Sequence, residues 1–199
     1  MRGLWIAGAA SVMMLGACAT AENPAAAPVS TSAPIIEDSA IASEFGMLAS
    51  LVGTRWYGEP GDADKAQGQP ADYSEWNWDL GRSVLVNRHV LADGSYGGVT
   101  YVQKNRASGE LDYVYITSAG FRTSGSFTLN DDGSWTAYET VTGLKDIIGV
   151  RSTGRLTEDG ALVSVSEFET RDGWKPGHEF RYEPTIEPMP ELVPSLEIE

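Results

Sequence analysis

The chain has 199 residues, of which 14 are Lys or Arg and 28 are Asp or Glu, for a formal net charge of −14. So acidic a balance argues against nucleic acid as a partner and against electrostatic adhesion to anionic lipid, since both need a basic face. A single cysteine excludes an intramolecular disulfide, so stability has to come from a buried core. The chain opens Met1-Arg2 and then runs without charge from Gly3 to Gly16. One positive charge, a short apolar run and small residues beyond it form the pattern of a secretory leader, too short to span a bilayer.

The leader ends Leu15-Gly16-Ala17-Cys18-Ala19. This stretch resembles the lipobox of bacterial lipoproteins, Leu-x-small-Cys. The resemblance implies cleavage before Cys18, so that residues 1–17 are a signal peptide, and acylation of the Cys18 sulfur and its new amino group. Palmitate-type chains at Cys18 would then anchor the protein, since each buried methylene contributes about 0.8 kcal/mol and more than one chain is needed for firm attachment. Ala19 stands where lipoproteins kept in the inner membrane often carry Asp. By the same resemblance the expected location is the bacterial cell envelope, at the periplasmic face of the outer membrane. Residues 18–38, rich in Ala, Pro, Ser and Thr, hold nothing that can bury a core and are expected to be a flexible tether. A coil of that length averages roughly 25 Å end to end.

The folded domain is expected over residues 39–184. Ser39 to Leu51 sets Ile41, Phe45, Leu48 and Leu51 on one helical stripe, with Asp38 or Ser39 as the cap. From there Tyr, Thr, Val, Trp and Phe alternate with polar residues in short runs broken by turn signals. The runs predict ten strands, near 53–59, 72–80, 83–92, 95–104, 110–118, 121–129, 134–142, 147–157, 161–170 and 174–182. Asp-Gly pairs at 93–94, 132–133, 159–160 and 172–173 mark hairpins, because tight turns want positive φ where glycine sits. Ten consecutive strands on short links form an antiparallel meander, and a meander that long removes its edges by closing. The expected fold is therefore all-β: a single ten-stranded meander barrel with a short N-terminal helix plugging one end. Residues 185–199, with three prolines and several glutamates, read as an extended or disordered tail.

The first strand begins Leu51-Val52-Gly53-Thr54-Arg55-Trp56, after the short helix. This is similar to the opening of the calycin barrels, the lipocalins and their bacterial relatives, although Gly53 and Trp56 stand two residues apart where the family has one. The resemblance implies a ligand-holding barrel whose floor is closed by Trp56. It also implies a late arginine packed on that tryptophan, with Arg181 as the match and Arg155 as the alternative. In the haem-binding nitrobindin group of that family a histidine near the C-terminal end ligates iron, and His178 stands about there. No other cofactor is implied.

Motifs for hydrolase elbows, phosphate loops and Cys/His metal sites do not occur. The acidic stretches 61–65 and 130–133 lack the spacing of calcium loops and read as turns. What carries chemistry is a set of polar residues within strands. Alternation places Leu85, Asn87, His89 and Leu91 on one strand face, with Val84, Val86, Arg88 and Val90 on the other. Because Lys104 falls on the opposite face, Val99 and Tyr101 are expected inward. Leu111, Tyr113 and Tyr115 share a face, as do Trp135, Ala137, Glu139 and Val141. The last strand groups Trp174, His178, Phe180 and Tyr182 against Lys175, Glu179 and Arg181.

Two readings of these residues compete. In one, His89, Asn87, Tyr101, Tyr115, Glu139, Arg151 and His178 surround a cavity and orient a small hydrophobic or amphiphilic ligand. In the other they are satisfied packing and surface pairs, such as Arg88 with Glu139 or Glu167. Three functions follow: a lipid-anchored binding barrel, an enzyme with a histidine–carboxylate site inside the barrel, or an envelope interaction protein with a packed interior. The lipobox reading makes one direct prediction. Cys18→Ser abolishes incorporation of labelled palmitate and releases the domain from the membrane fraction; membrane association that survives the substitution refutes it.

Overall fold

A computed structural model describes residues 38–193; the expected leader, Cys18, the expected tether up to residue 37 and the last six residues lie outside this range. Helix α1 (Asp38–Phe45) runs into a 3-10 turn (Gly46–Leu51). Strand β1 (Arg55–Pro60) follows, then a one-turn helix α2 (Asp62–Ala66) and β2 (Asp72–Asp79). The remaining strands are β3 (Val84–Leu91), β4 (Gly97–Lys104), β5 (Leu111–Thr117), β6 (Arg122–Leu129) and β7 (Ser134–Thr142). They continue with β8 (Gly149–Leu156), β9 (Leu162–Thr170) and β10 (Gly173–Thr185). All ten predicted strands are present. Each pairs antiparallel with its sequence neighbour, and β1 pairs with β10 from Arg55 opposite Thr185 to Pro60 opposite Phe180, closing the barrel. Closure leaves no free edge to recruit another strand. The four Asp-Gly pairs fall in hairpin connections, and their glycines take φ of 72°, 79°, 84° and 98°.

One end of the barrel is shut. Phe45, Leu48 and Leu51, from α1 and the turn after it, are each at most 1% exposed. They pack on the lowest inward side chains of the strands, including Trp56, Trp76, Leu85, Val102, Leu111 and Trp135. The Phe45 ring meets Trp78 edge-on at 5.1 Å, and Phe127 meets Trp135 at 5.2 Å. Trp56 closes the floor as expected, its indole N–H reaching the Leu51 carbonyl at 3.4 Å. No arginine packs on it in the expected way: Arg181 stands on the outer surface, paired with Asp159 at 2.6 Å and Glu183 at 3.6 Å. A hydrophobic plug replaces the cation that the calycin likeness implied.

Two face assignments differ from the alternation read in the sequence. In β4 it is Thr100 and Val102 that point inward, Val102 being fully buried, while Tyr101 is 43% exposed on the outside. Lys104 misled the parity because it ends its strand at the barrel rim, beside Arg106 and Glu44, where an inward charge still reaches water. In β10 the pairing with β9 shifts register between Pro176 and Glu179. The extra residue is a β-bulge, and it reverses the parity of everything before it. Trp174 therefore lies outside, over Arg151, while His178, Phe180 and Tyr182 lie inside.

The segment after β10 follows the outer wall. Glu187 accepts from Arg55 through its carbonyl at 2.6 Å and from the Tyr73 hydroxyl through its carboxylate at 2.5 Å, and the Val193 N–H donates to Gly94. Leu192 reaches Gly97 beside Val90, and Val90 is 4% exposed. That cover explains the apolar Val90 on the outward face of β3. The plug carries a clear stability prediction. Leu48→Ala lowers unfolding free energy by about 2–5 kcal/mol, each kcal/mol being about 2–4 °C in Tm for a domain of this size. Ile186→Ala, at a fully exposed side chain, changes it by no more than about 0.5 kcal/mol. Thermal melts of the two variants decide the point.

Candidate functional site

The end of the barrel opposite the plug is open. A cavity of about 580 Å³ enters there and continues into a deeper chamber of about 230 Å³. The two share walls at Asp72, His89, Tyr115, Glu139, Ser152, Ser164 and Tyr182. The lumen is thus layered: apolar residues at the mouth, a polar belt at mid-depth, and the aromatic floor.

The lumen stays open because of small residues on the inward face. A Cβ placed on Gly98 would lie 2.3 Å from the Tyr115 ring, one on Gly58 2.4 Å from Tyr182, and one on Gly154 2.4 Å from Trp135. Each glycine seats a ring from the adjacent strand flat against the wall. The rings cover backbone instead of filling space, and their polar ends are left at the level of the belt.

His89 is the centre of that belt. Its Nδ1 lies 2.9 Å from Asp72 Oδ1 and its Nε2 lies 2.7 Å from the Tyr115 hydroxyl. A carboxylate only accepts, so Nδ1 donates to Asp72, and the Nε2 role follows the charge of the ring. The second Asp72 oxygen accepts from the Tyr182 hydroxyl at 2.9 Å, and Tyr115 shares a 2.6 Å hydrogen bond with Tyr96. Side chains of β2, β3, β5 and β10, with Tyr96 from the β3–β4 connection, are thereby joined across the lumen. Burial raises the pKa of Tyr115 far above its usual value, with Tyr96, Asp72 and Glu139 adding to the rise. Burial raises Tyr182 likewise, and the Asp72 carboxylate beside it adds to the shift. Both phenols stay protonated and serve as donors. Below His89, Asn87 donates to Ser74 Oγ at 2.7 Å and to the Glu75 carbonyl at 3.1 Å.

Glu139 faces the lumen from β7. Its carboxylate accepts from the Thr123 hydroxyl and is hydrogen-bonded by Tyr113. Burial raises its pKa above the ordinary glutamate value, against the lowering effect of those two hydroxyls.

His178 occupies the mouth. The bulge presents its ring between Phe168, at 5.4 Å edge-on, and Phe180, at 6.3 Å. Ser166 stabilises the irregular backbone, its Oγ accepting from the His178 N–H at 2.8 Å. His178 Nδ1 lies 2.9 Å from Asp64 Oδ1, and Asp64 Oδ2 accepts from the Glu179 N–H at 2.9 Å. Desolvation pushes the Asp64 carboxyl up, but the Glu179 N–H and His178 outweigh it and hold the pKa below the usual value. The stretch 61–65, read in the sequence as a turn, is the helix α2 that Asp64 pins to the rim.

Of the residues singled out in the sequence, Asn87, His89, Tyr115, Glu139 and His178 come together on this lumen. Tyr101 and Arg151 do not. Tyr101 borders a separate groove on the outer wall. Arg151 pairs with Glu167 at 2.6 Å and stacks 4.3 Å over Trp174, also outside. The expected partnership of Arg88 with Glu139 fails for the same reason, since Glu139 points in and Arg88 pairs in register with Glu75. Asp72, Tyr96 and Thr123 were not singled out, and Tyr182 was grouped with His178 on one strand face without a role in the site. Asp72 had a signal: it alternates with Ser74 and Trp76, all three 3–9% exposed, against Tyr73 and Glu75.

The residues around His178 do not fit a haem. Phe168 and Phe180 crowd the imidazole, and the lining offers carboxylates where propionates would want cations. Among the described residues no three His, Cys, Asp or Glu side chains gather as a metal site. No family model matches the chain and no curated protein matches it.

Glu139 gives the site a pH signature. A carboxyl whose folded-state pKa is raised contributes stability that is complete below its unfolded value, near 4.3 for glutamate, and is lost as pH rises through the folded value. Glu139→Gln removes that loss. Its Tm relative to wild type therefore climbs as pH goes from 4 to 8; a difference constant across that range would show that burial does not raise the Glu139 pKa.

Proposed function

We propose that this protein is a binding barrel of the calycin type, holding one small amphiphilic molecule in its open lumen. The observation that carries the reading is the layering of the cavity. An apolar mouth leads to a belt of convergent hydroxyl, carboxyl, amide and imidazole groups, the lining expected of a site that buries a mostly apolar ligand and orients it by a few polar contacts. The interaction-protein alternative requires an interior filled by side chains, and the lumen is hollow over several hundred Å³. Acylation at Cys18 and a position at the periplasmic face of the outer membrane belong to the same proposal. They would place the open barrel within tether length of a source of amphiphiles.

The enzymatic reading keeps one specific support: both histidines lie 2.9 Å from a carboxylate and border an accessible cavity. They are not equivalent. Both ring nitrogens of His89 are engaged within the wall, which makes it a fixed part of the scaffold. His178 has Nδ1 held by Asp64, while its Nε2 has no hydrogen-bond partner among the described residues. Any proton transfer to a bound molecule would fall to His178.

The binding reading is tested by filling the lumen. Ser164 lies where the two chambers meet, so Ser164→Trp should block it. The neutral fluorophore N-phenyl-1-naphthylamine is expected to bind wild type saturably at one site and the variant at least tenfold more weakly. Equal uptake by both proteins would place the probe outside the barrel and refute the proposal.

A further inference from the structure

The charges on the lumen wall narrow the class of ligand, an inference that rests on the binding reading above. Two carboxylates, Asp72 and Glu139, face the shared cavity, and among the described residues no Lys or Arg contributes to the lining of either chamber. The described arginines with ion-pair partners, such as Arg151 and Arg181, hold them on the outer wall. The two carboxylates differ in their partners. Asp72 has its counter-group in place, with the His89 imidazole on one oxygen and the Tyr182 hydroxyl on the other. Glu139 has only hydroxyls, from Thr123 and Tyr113, and forms no ion pair with any described residue. Its neighbours on β6 and β8, Thr123 and Ser152, are uncharged, and the titratable groups it shares the two chambers with are Asp72, His89, Tyr96, Tyr113, Tyr115, His178 and Tyr182, of which His178 stands at the mouth with its Nδ1 on Asp64.

A buried carboxylate without a counter-charge is costly, and the cost is removed by protonation or by a cation. The lumen above Glu139 is open, so that cation can arrive with a ligand. The mouth sets the rest of the molecule. Leu144, Ile147, Phe121 and Phe168 line the entrance, and a polar group passing to mid-depth leaves an apolar chain among them. Deeper still, Trp135 borders the inner chamber with an indole N–H that has no partner. That donor suits an uncharged oxygen on the same ligand.

We propose that the lumen selects an amphiphile with a cationic, amine-type head, seated against Glu139 with its chain in the mouth, and disfavours carboxylate and phosphate heads. Where Glu139 is ionised, a carboxylate head would meet a like charge a few ångströms away in a partly desolvated setting, which costs more than about a factor of ten in affinity. An ammonium gains a comparable factor from the opposite sign. Entry of the cation favours the ionised form of Glu139, so binding releases a proton where that carboxyl is still protonated, and affinity rises with pH through its titration.

The test uses three ligands with the same twelve-carbon chain, dodecylamine, dodecanol and dodecanoate, each kept below its micelle concentration. They are titrated by calorimetry into the full chain carrying Cys18→Ser so that its own acyl groups do not compete. Dodecylammonium is expected to bind at least tenfold more tightly than dodecanoate, with dodecanol between. In Glu139→Gln that ratio falls toward one, whereas Glu167→Gln, on the outer wall, leaves it unchanged. The wild-type ratio needs no variant to fold, so the proposal stays exposed if Glu139→Gln does not. Dodecanoate binding as tightly as the amine overturns the charge selection while leaving a binding barrel. A preference that survives Glu139→Gln in a folded variant overturns the role of Glu139. No binding by any of the three removes the binding reading itself, and this inference with it.

Discussion

Ten strands joined edge to edge enclose more space than their inward side chains fill, and this constraint governs the rest of the molecule. The protein resolves it differently at the two ends. At the floor, α1 and the turn after it drive Phe45, Leu48 and Leu51 into the opening, and the strands answer with tryptophans. Among the described residues nothing comparable enters from the other end. There the rings of Tyr115 and Tyr182 lie flat on Gly98 and Gly58, so the lumen remains a cavity bounded by aromatic walls. Hollow space next to large rings is stable only if their hydroxyls find partners, and that requirement produces the polar belt.

The belt ties the strands together through their side chains. Asp72, His89, Tyr115, Tyr96 and Tyr182 form one hydrogen-bonded chain. With every member engaged, its groups are satisfied before any ligand arrives, and losing one partner would leave another buried and unpaired. Glu139 stands outside that chain. The division separates a scaffold that holds the walls from a buried carboxyl that no described residue pairs with an opposite charge. At the mouth, Asp64 performs a separate local task, tying α2 to the bulged start of β10 through His178 and the Glu179 N–H.

Much of this was legible along the chain. Alternation grouped Leu85, Asn87, His89 and Leu91 on one strand face, and likewise Tyr113 with Tyr115 and Trp135 with Glu139, because those strands run without interruption between clear turns. The exceptions have physical causes. Tyr101 was assigned inward on the evidence of Lys104, a residue that ends its strand and escapes the rule of burial. Trp174 was grouped with His178 because a bulge leaves no mark that period-two reading detects. Arg181 was offered to Trp56 by analogy, and the helical plug had already taken that place.

What the sequence by itself determined is the number and order of strands, the plugging helix and its apolar stripe, and the candidate set that contains His89, Glu139 and His178. These depend on local periodicity and turn chemistry, which neighbouring residues carry among themselves. Only the tertiary structure decided which faces enclose the lumen, that β1 meets β10, and that Asp72 reaches His89 while Asp64 reaches His178. Such pairings join distant residues, Arg55 with Thr185 across the closing seam and Asp64 with Glu179, 115 positions apart, at the bulge. They are settled by barrel closure and by the register of one bulge, neither of which any single segment encodes.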